Sequence, residues 1–327
     1  MSRFNLIITF IALTSLISGC QRSESPVEQF EHAVGGAYTA ALSEDGRYAI
    51  VSSNQHAISL WDIQRNALKY VWRHEGEDNL VLAADIADDN SFAVTADVNR
   101  FAIWNISTGE SVGFWQIRDS SIRDVAISKG GRYVLIGKSS GVVVHVDIDT
   151  GRRIEFLGHQ TKINSVDLSP NGRYALSGSN DYVAYLWDTQ TGQAVYRFVH
   201  DSRVSMVALD HQGRYAFTAD SKRGSRIWDL KTGKEISQLK FAQRQNIFSA
   251  VRFSDDGKYL ATGSPSRVLA LWDVSSGKRL QKWYVTPRKD TRPQSAVVYA
   301  VAFQDANTLI TESSSGFAEF WPIDIPQ

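Results

Sequence analysis

Cysteine is almost missing from this sequence: Cys20 stands alone among 327 residues, so no intramolecular disulfide can brace the fold. Net charge is missing too. Lys and Arg number 35, Asp and Glu number 35, and the isoelectric point is near 7.1, so nothing in the balance points to a nucleic-acid partner. Also absent are a phosphate-binding loop, a nucleophile elbow and any zinc-ligand spacing. An enzymatic role therefore has no positive support, and no cofactor or metal is expected. Prolines number only seven, whereas tryptophans number nine. Aromatic residues, frequent glycine and short apolar runs lean towards an all-β chain.

The N-terminus carries the one apolar stretch of signal-peptide length. Arg3 supplies a short positive region, and Leu6 to Ile17 follows, too short to span a bilayer comfortably. The stretch ends Leu16-Ile17-Ser18-Gly19-Cys20. This resembles the bacterial lipobox, with Ile17 where Leu is commonest. The resemblance implies that residues 1–19 are a leader removed on export, and that Cys20 becomes a lipidated first residue. Asp after the cysteine tends to hold such proteins at the inner membrane of enteric-type bacteria. Gln21 stands there instead, which implies the periplasmic face of the outer membrane. Residues 20–26 then read as a lipidated Cys and a short polar tether, and six residues reach at most roughly 20 Å.

A repeat dominates the remainder. Trp61-Asp62, Trp104-Asn105, Val146-Asp147, Trp187-Asp188, Trp228-Asp229, Trp272-Asp273 and Trp321-Pro322 recur in order. A second marker keeps phase with the first: Gly46-Arg47-Tyr48, Gly131-Arg132-Tyr133, Gly172-Arg173-Tyr174, Gly213-Arg214-Tyr215 and Gly257-Lys258-Tyr259. Glycine there accepts the positive φ of a tight hairpin, and the aromatic opens the next strand. A third marker, Thr108-Gly109, Thr150-Gly151, Thr191-Gly192, Thr232-Gly233 and Ser276-Gly277, follows five of the anchors and reads as the turn into a fourth strand. Seven anchors with this spacing resemble the WD40 repeat, a four-stranded blade of about 40–45 residues. The resemblance covers residues 27–327 and implies an all-β, seven-bladed WD40-type β-propeller.

In the fourth repeat the expected strands are Ile163 to Ser169, Tyr174 to Ser179, Tyr182 to Trp187 and Ala194 to Val199. The last anchor, Trp321, has only Pro322 to Gln327 after it, so the seventh blade lacks an outer strand of its own. Residues 27–32 align with 195–200 and are expected to supply that strand beside 316–321. Closing the ring in this way removes the edge strand that an incomplete seventh blade would expose.

His159, Ser177 and Asp181 invite a Ser-His-Asp triad. The WD-repeat resemblance implies another role. In that family a Gly-His pair, a second-strand Ser or Thr, a following Asp and the anchor Trp hydrogen-bond in series. Gly158-His159, Ser177, Asp181 and Trp187 fill those places as a structural tetrad. Other repeats are expected to keep only parts of it, with Lys222 in place of the Asp in the fifth and Val146 in place of the Trp in the third. Repeat-related histidines lie in different blades, so no histidine metal site is expected. Asp-Gly turns such as Asp45-Gly46 lack the alternating acidic spacing of a calcium loop.

What is left is surface. In the resembled family, partners dock on loops that join one blade to the next. The junction before the seventh blade is long, and holds Arg288, Lys289 and Arg292 between Pro287 and Pro293. With Arg244 and Arg203 it makes a candidate basic rim for an acidic protein or anionic lipid. The function expected is a non-catalytic, membrane-anchored protein–protein interaction scaffold of the bacterial envelope, its propeller monomeric. A small-ligand or enzymatic propeller using its central channel is the alternative, and mostly apolar or small inner-strand residues count against it. A third reading, an accessory lipoprotein in outer-membrane protein assembly, rests on analogy alone.

Overall fold

Each inner strand is short and apolar on alternate positions, and each ends in a turn that sends the chain straight back. At Gly172 the φ is +70°, and a Cβ there would lie 2.2 Å from the Tyr133 ring of the preceding blade. Glycine is thus required by both the turn and the neighbour. The computed structural model describes residues 25–74, 80–222, 224–241, 247–289, 292 and 294–325. They form seven four-stranded antiparallel sheets. In six of them the four strands are consecutive, as in the fourth blade: Ile163–Leu168, Tyr174–Ser179, Val183–Asp188 and Ala194–Val199. Those strands lie where the sequence places them, to within a residue or two at their ends.

Inner strands of successive blades pack on one another, and the first packs on the seventh, so the ring closes. The seventh blade has Val298–Asp305, Thr308–Ser313 and Phe317–Pro322 from the C-terminal end, and its outer strand is Glu28–Glu31. Glu28 pairs with Phe320 and Glu31 with Phe317, the closure expected from the alignment. Two buried carboxylates mark this seam. Glu312 and His32 are both fully buried, with Oε1 2.5 Å from Nδ1. Glu319 accepts from Gln29 Nε2 at 2.9 Å and from the Thr286 amide. Gly316 turns the chain at φ +84°, where a Cβ would lie 2.1 Å from the Ala33 carbonyl. Gly316→Ala should therefore loosen the seam by about 1–3 kcal/mol in chemical denaturation, through strain at a special φ. An unchanged midpoint would refute this.

The anchor tryptophans are joints between blades. An outer-strand aromatic of one blade stacks on the anchor of the next: Trp72 on Trp104, Phe156 on Trp187 and Phe198 on Trp228, with centroids 5.0, 4.9 and 4.4 Å apart. At the seam His32 takes that place on Trp61, at 4.4 Å. Where Val146 replaces the anchor, Trp115 has no ring to meet and stacks on Phe101 of its own blade at 5.1 Å. Stacked aromatic pairs of this kind add roughly 0.5–1.5 kcal/mol beyond the area they bury.

Candidate functional site

The tetrad is built by strand register. In the fourth blade His159 Nε2 lies 2.9 Å from Ser177 Oγ, and His159 Nδ1 lies 3.0 Å from Asp181 Oδ2. The expected fourth link is missing, because Trp187 Nε1 has no hydrogen-bond partner. Serine lacks the β-branch that fixes a threonine hydroxyl between two neighbours. Threonine does make that double contact in the second and fifth blades. Thr95 Oγ1 meets His74 Nε2 and Trp104 Nε1, both at 2.8 Å. Thr218 Oγ1 meets His200 Nε2 and Trp228 Nε1, both at 2.8 Å. These two blades are more complete than the sequence reading allowed. Asp97 and Asp220 lie 3.5 and 3.4 Å from the respective histidine Nδ1 atoms, so Asp220, not Lys222, fills the acidic place in the fifth blade. That carboxylate follows its threonine by two residues rather than four, which hid it.

Ser177 is fully buried, so its hydroxyl is closed to any acyl substrate despite the triad-like distances. Burial also pushes the His74, His145 and His200 imidazoles down, His145 to about 4. These rings are packing elements. Trp272→Phe, which strands the Thr262 hydroxyl now 2.9 Å from Nε1, should cost about 1 kcal/mol more than Trp187→Phe, which loses no hydrogen bond. Equal losses in denaturant titrations would overturn this.

The channel is not the apolar tube that the sequence reading expected. An inner strand is a sheet edge, and its lumen-side N–H groups have no partner within their own sheet. Aspartates from the preceding blade supply one. Asp85 Oδ2 accepts from the Ile127 amide at 2.9 Å, Asp124 Oδ2 from Val166 at 2.9 Å, and Asp167 Oδ2 from Leu209 at 2.6 Å. The other oxygen of each accepts from the residue that follows it in its own strand. In the sixth blade Arg252 does the complementary work. It donates to the Leu42 and Val301 carbonyls at 3.1 and 3.5 Å and pairs with Glu44. The cavity so lined measures about 280 Å³. Burial pushes the Asp85 and Asp124 carboxyls up to about 7, against the pull of the amides they cap.

At one mouth of the channel, His211 Nδ1 lies 3.1 Å from both Glu44 Oε2 and Asp88 Oδ2. Burial opposes a proton on this ring, but the Asp88 and Glu44 carboxylates prevail and lift it to about 9. The ligating atoms of these three residues fall within 4.8 Å of one another, a spacing that a metal ion would accept. The charge is already balanced without one, since His211 and Arg252 neutralise the two carboxylates.

The pH dependence follows. His211 titrates near 9 when folded and near 6.5 when unfolded, so between those values the folded chain holds the extra proton and stability falls as pH rises. The buried neutral histidines act oppositely, but only below about 6.5. The thermal midpoint should therefore decline from pH 6.5 to 9, on the order of 5 °C. His211→Gln should flatten that limb, and a flat profile in the parent chain would disprove the assignment.

The candidate rim residues are not gathered into one patch. Arg203 sits at the junction of blades four and five, where its carbonyl accepts from the Ser221 amide. Lys289 and Arg292, both exposed, sit two junctions away, and Arg288 is half-buried over Gly35 and Gly36. Arg244 and Cys20 lie outside the described residues. A different surface stands out on the end that carries the blade-to-blade loops. A groove of about 710 Å³ runs between blades one and two, lined by exposed Tyr38, Leu80 and Val98 and edged by Arg73 and the Asp97–Arg100 ion pair. Leu82 and Val34 add exposed apolar surface nearby in sequence. In the sequence, only scattered single residues betray this region.

Comparison with known proteins agrees with the architecture. Residues 151–188 and 234–273 match the WD domain, G-beta repeat family. Each match spans the outer strand of one blade, the third or the fifth, and the first three strands of the next. The chain is also 27% identical over 142 residues to the WD repeat-containing protein SL1-17 of Schistosoma mansoni. That match covers 42% of this chain and 45% of the Schistosoma protein, so the chain spans under half of that relative. Taken with the closed ring and the tetrads, this makes the chain a seven-bladed β-propeller carrying WD40 repeats.

Proposed function

We propose that this propeller is a non-catalytic docking scaffold, held at a bacterial membrane by lipid on Cys20 and presenting the groove between blades one and two to a protein partner. The observation that carries the docking reading is the mixed lining of that groove, where Tyr38, Leu80 and Val98 stand exposed among polar side chains such as Arg73, Asp97 and Arg100. Functional residues concentrate on loops held by a rigid scaffold, and exposed apolar side chains rimmed by polar ones suit a protein partner. The topology supports an orientation. The closing strand runs from Glu28, beside Phe320, to Glu31, beside Phe317, so the chain enters it at the end opposite the groove. A tether of residues 20–26 would then hold that opposite end at the bilayer, periplasmic face of the outer membrane, and leave the groove facing away.

The test is crosslinking in the native envelope followed by affinity capture. Tyr38→Asp with Leu80→Asp should abolish capture of the partner and leave the thermal midpoint nearly unchanged. A second arm replaces Arg288, Lys289 and Arg292 with serine, and loss of capture only in that arm would move the docking site to the basic loop. Capture undiminished in both arms would sink the docking reading.

One observation favours a second reading. The lumen carries Asp85, Asp124 and Asp167, the kind of lining that a cationic small ligand would need. Each of these carboxylates already accepts two backbone N–H groups, which ranks the scaffold first. A cationic guest would raise the thermal midpoint of the groove variant as much as that of the parent chain.

A further inference from the structure

We propose that Glu44, Asp88, His211 and Arg252 form a transannular lock, a pH-operated closure of the channel mouth at the end where the closing strand begins. The turns that bear Glu44, Asp88 and His211 belong to blades one, two and five, which stand on opposite sides of the ring. His211 crosses the mouth and lies 3.1 Å from both carboxylates. Arg252 adds blade six, pairing with Glu44, and reaches the Leu42 and Val301 carbonyls of blades one and seven. Five blades are thus tied across the lumen by four side chains.

The other charged groups facing this cluster set its sense. Asp85 and Asp167 line the adjoining wall and add negative potential, as does Asp124 beyond them. On the turn that carries His211, Asp210 is occupied by Arg214 at 2.6 Å. The proton on His211 is therefore the cation that lets Glu44 and Asp88 lie within 4.8 Å of each other. Its loss leaves two like charges at that spacing, with only Arg252 to hold one of them, and repulsion parts the turns. The mouth is shut at neutral pH and opens on alkalinisation.

Hydrogen exchange read by mass spectrometry on the full chain at pH 7 tests this, with His211→Gln and His211→Lys beside the parent. His211→Gln should raise exchange at least tenfold in turns 43–47 and 87–91, to which it does not belong, as well as in 210–214. His211→Lys keeps a cation at the mouth and should stay close to the parent. Exchange confined to 210–214, or an equal rise with lysine, overturns the lock. Should His211→Gln fail to fold, the parent chain alone decides. Corrected for the intrinsic rate of an unstructured peptide, its exchange in turns 43–47 and 87–91 should rise from pH 8 to pH 10. No rise, or a rise shared by the whole ring, refutes the proposal.

Discussion

A His32→Ala variant should unfold about 3–5 kcal/mol more easily than the parent chain, the scale expected when a large buried ring is truncated and its buried hydrogen-bond partner is left unpaired. His32 does three things at the seam. It sits on the strand that completes the last blade, it holds the fully buried Glu312 at 2.5 Å, and it stacks on Trp61 at 4.4 Å. Truncation deletes the stack and leaves the buried Glu312 side chain without its partner. The second effect is separable, since the double variant His32→Ala with Glu312→Leu removes the unpaired polar group and should recover a large part of the loss. Chemical denaturation of the single and double variants reads both terms. A single variant within about 1 kcal/mol of the parent would show that the seam does not depend on this pair, and no recovery in the double variant would assign the loss to stacking instead.

Replacing Cys20 with alanine should move the protein wholly from the membrane fraction to the soluble fraction. Each acyl CH₂ buried in a bilayer is worth about 0.8 kcal/mol; one chain holds a protein only marginally and several hold it durably. No helix among the described residues is long and apolar enough to cross a membrane. Fractionation, with mass spectrometry of the N-terminal peptide, distinguishes the outcomes. Unacylated protein that still sediments with membranes would refute the lipobox assignment, and acylated protein in the parent chain would support it.

Why some of this could be read from the sequence and some could not is a matter of range. The blades were legible because their markers act locally. Gly172 is needed by its own hairpin, and Trp187 by its own third strand, so each repeats with the period of the chain. The closing strand was legible because 27–32 carries Val, Phe and His at the same places as 195–200. Asp85, Asp124 and Asp167 were not, since their role depends on an amide in the next blade. A signal existed in retrospect, as each acts on an amide one repeat further on, but the aspartates do not occupy one column of the repeat. His211 and Glu44 were hidden in turns that glycine and aspartate already explained. Their meaning appears only when a ring brings blade five opposite blades one and two.

The direction of the closing strand has a mechanical consequence. Its hydrogen bonds to Phe317–Pro322 lie across the strand axis, as in any antiparallel pair. A pull on the chain ahead of Val27 runs along that axis, so it loads every bond of the strand at once, in shear, where a sideways pull would peel them one at a time. The side-chain contacts of Gln29 with Glu319 and of His32 with Glu312 are loaded in the same stroke. The last blade is thus strongest against tension arriving from its N-terminal side.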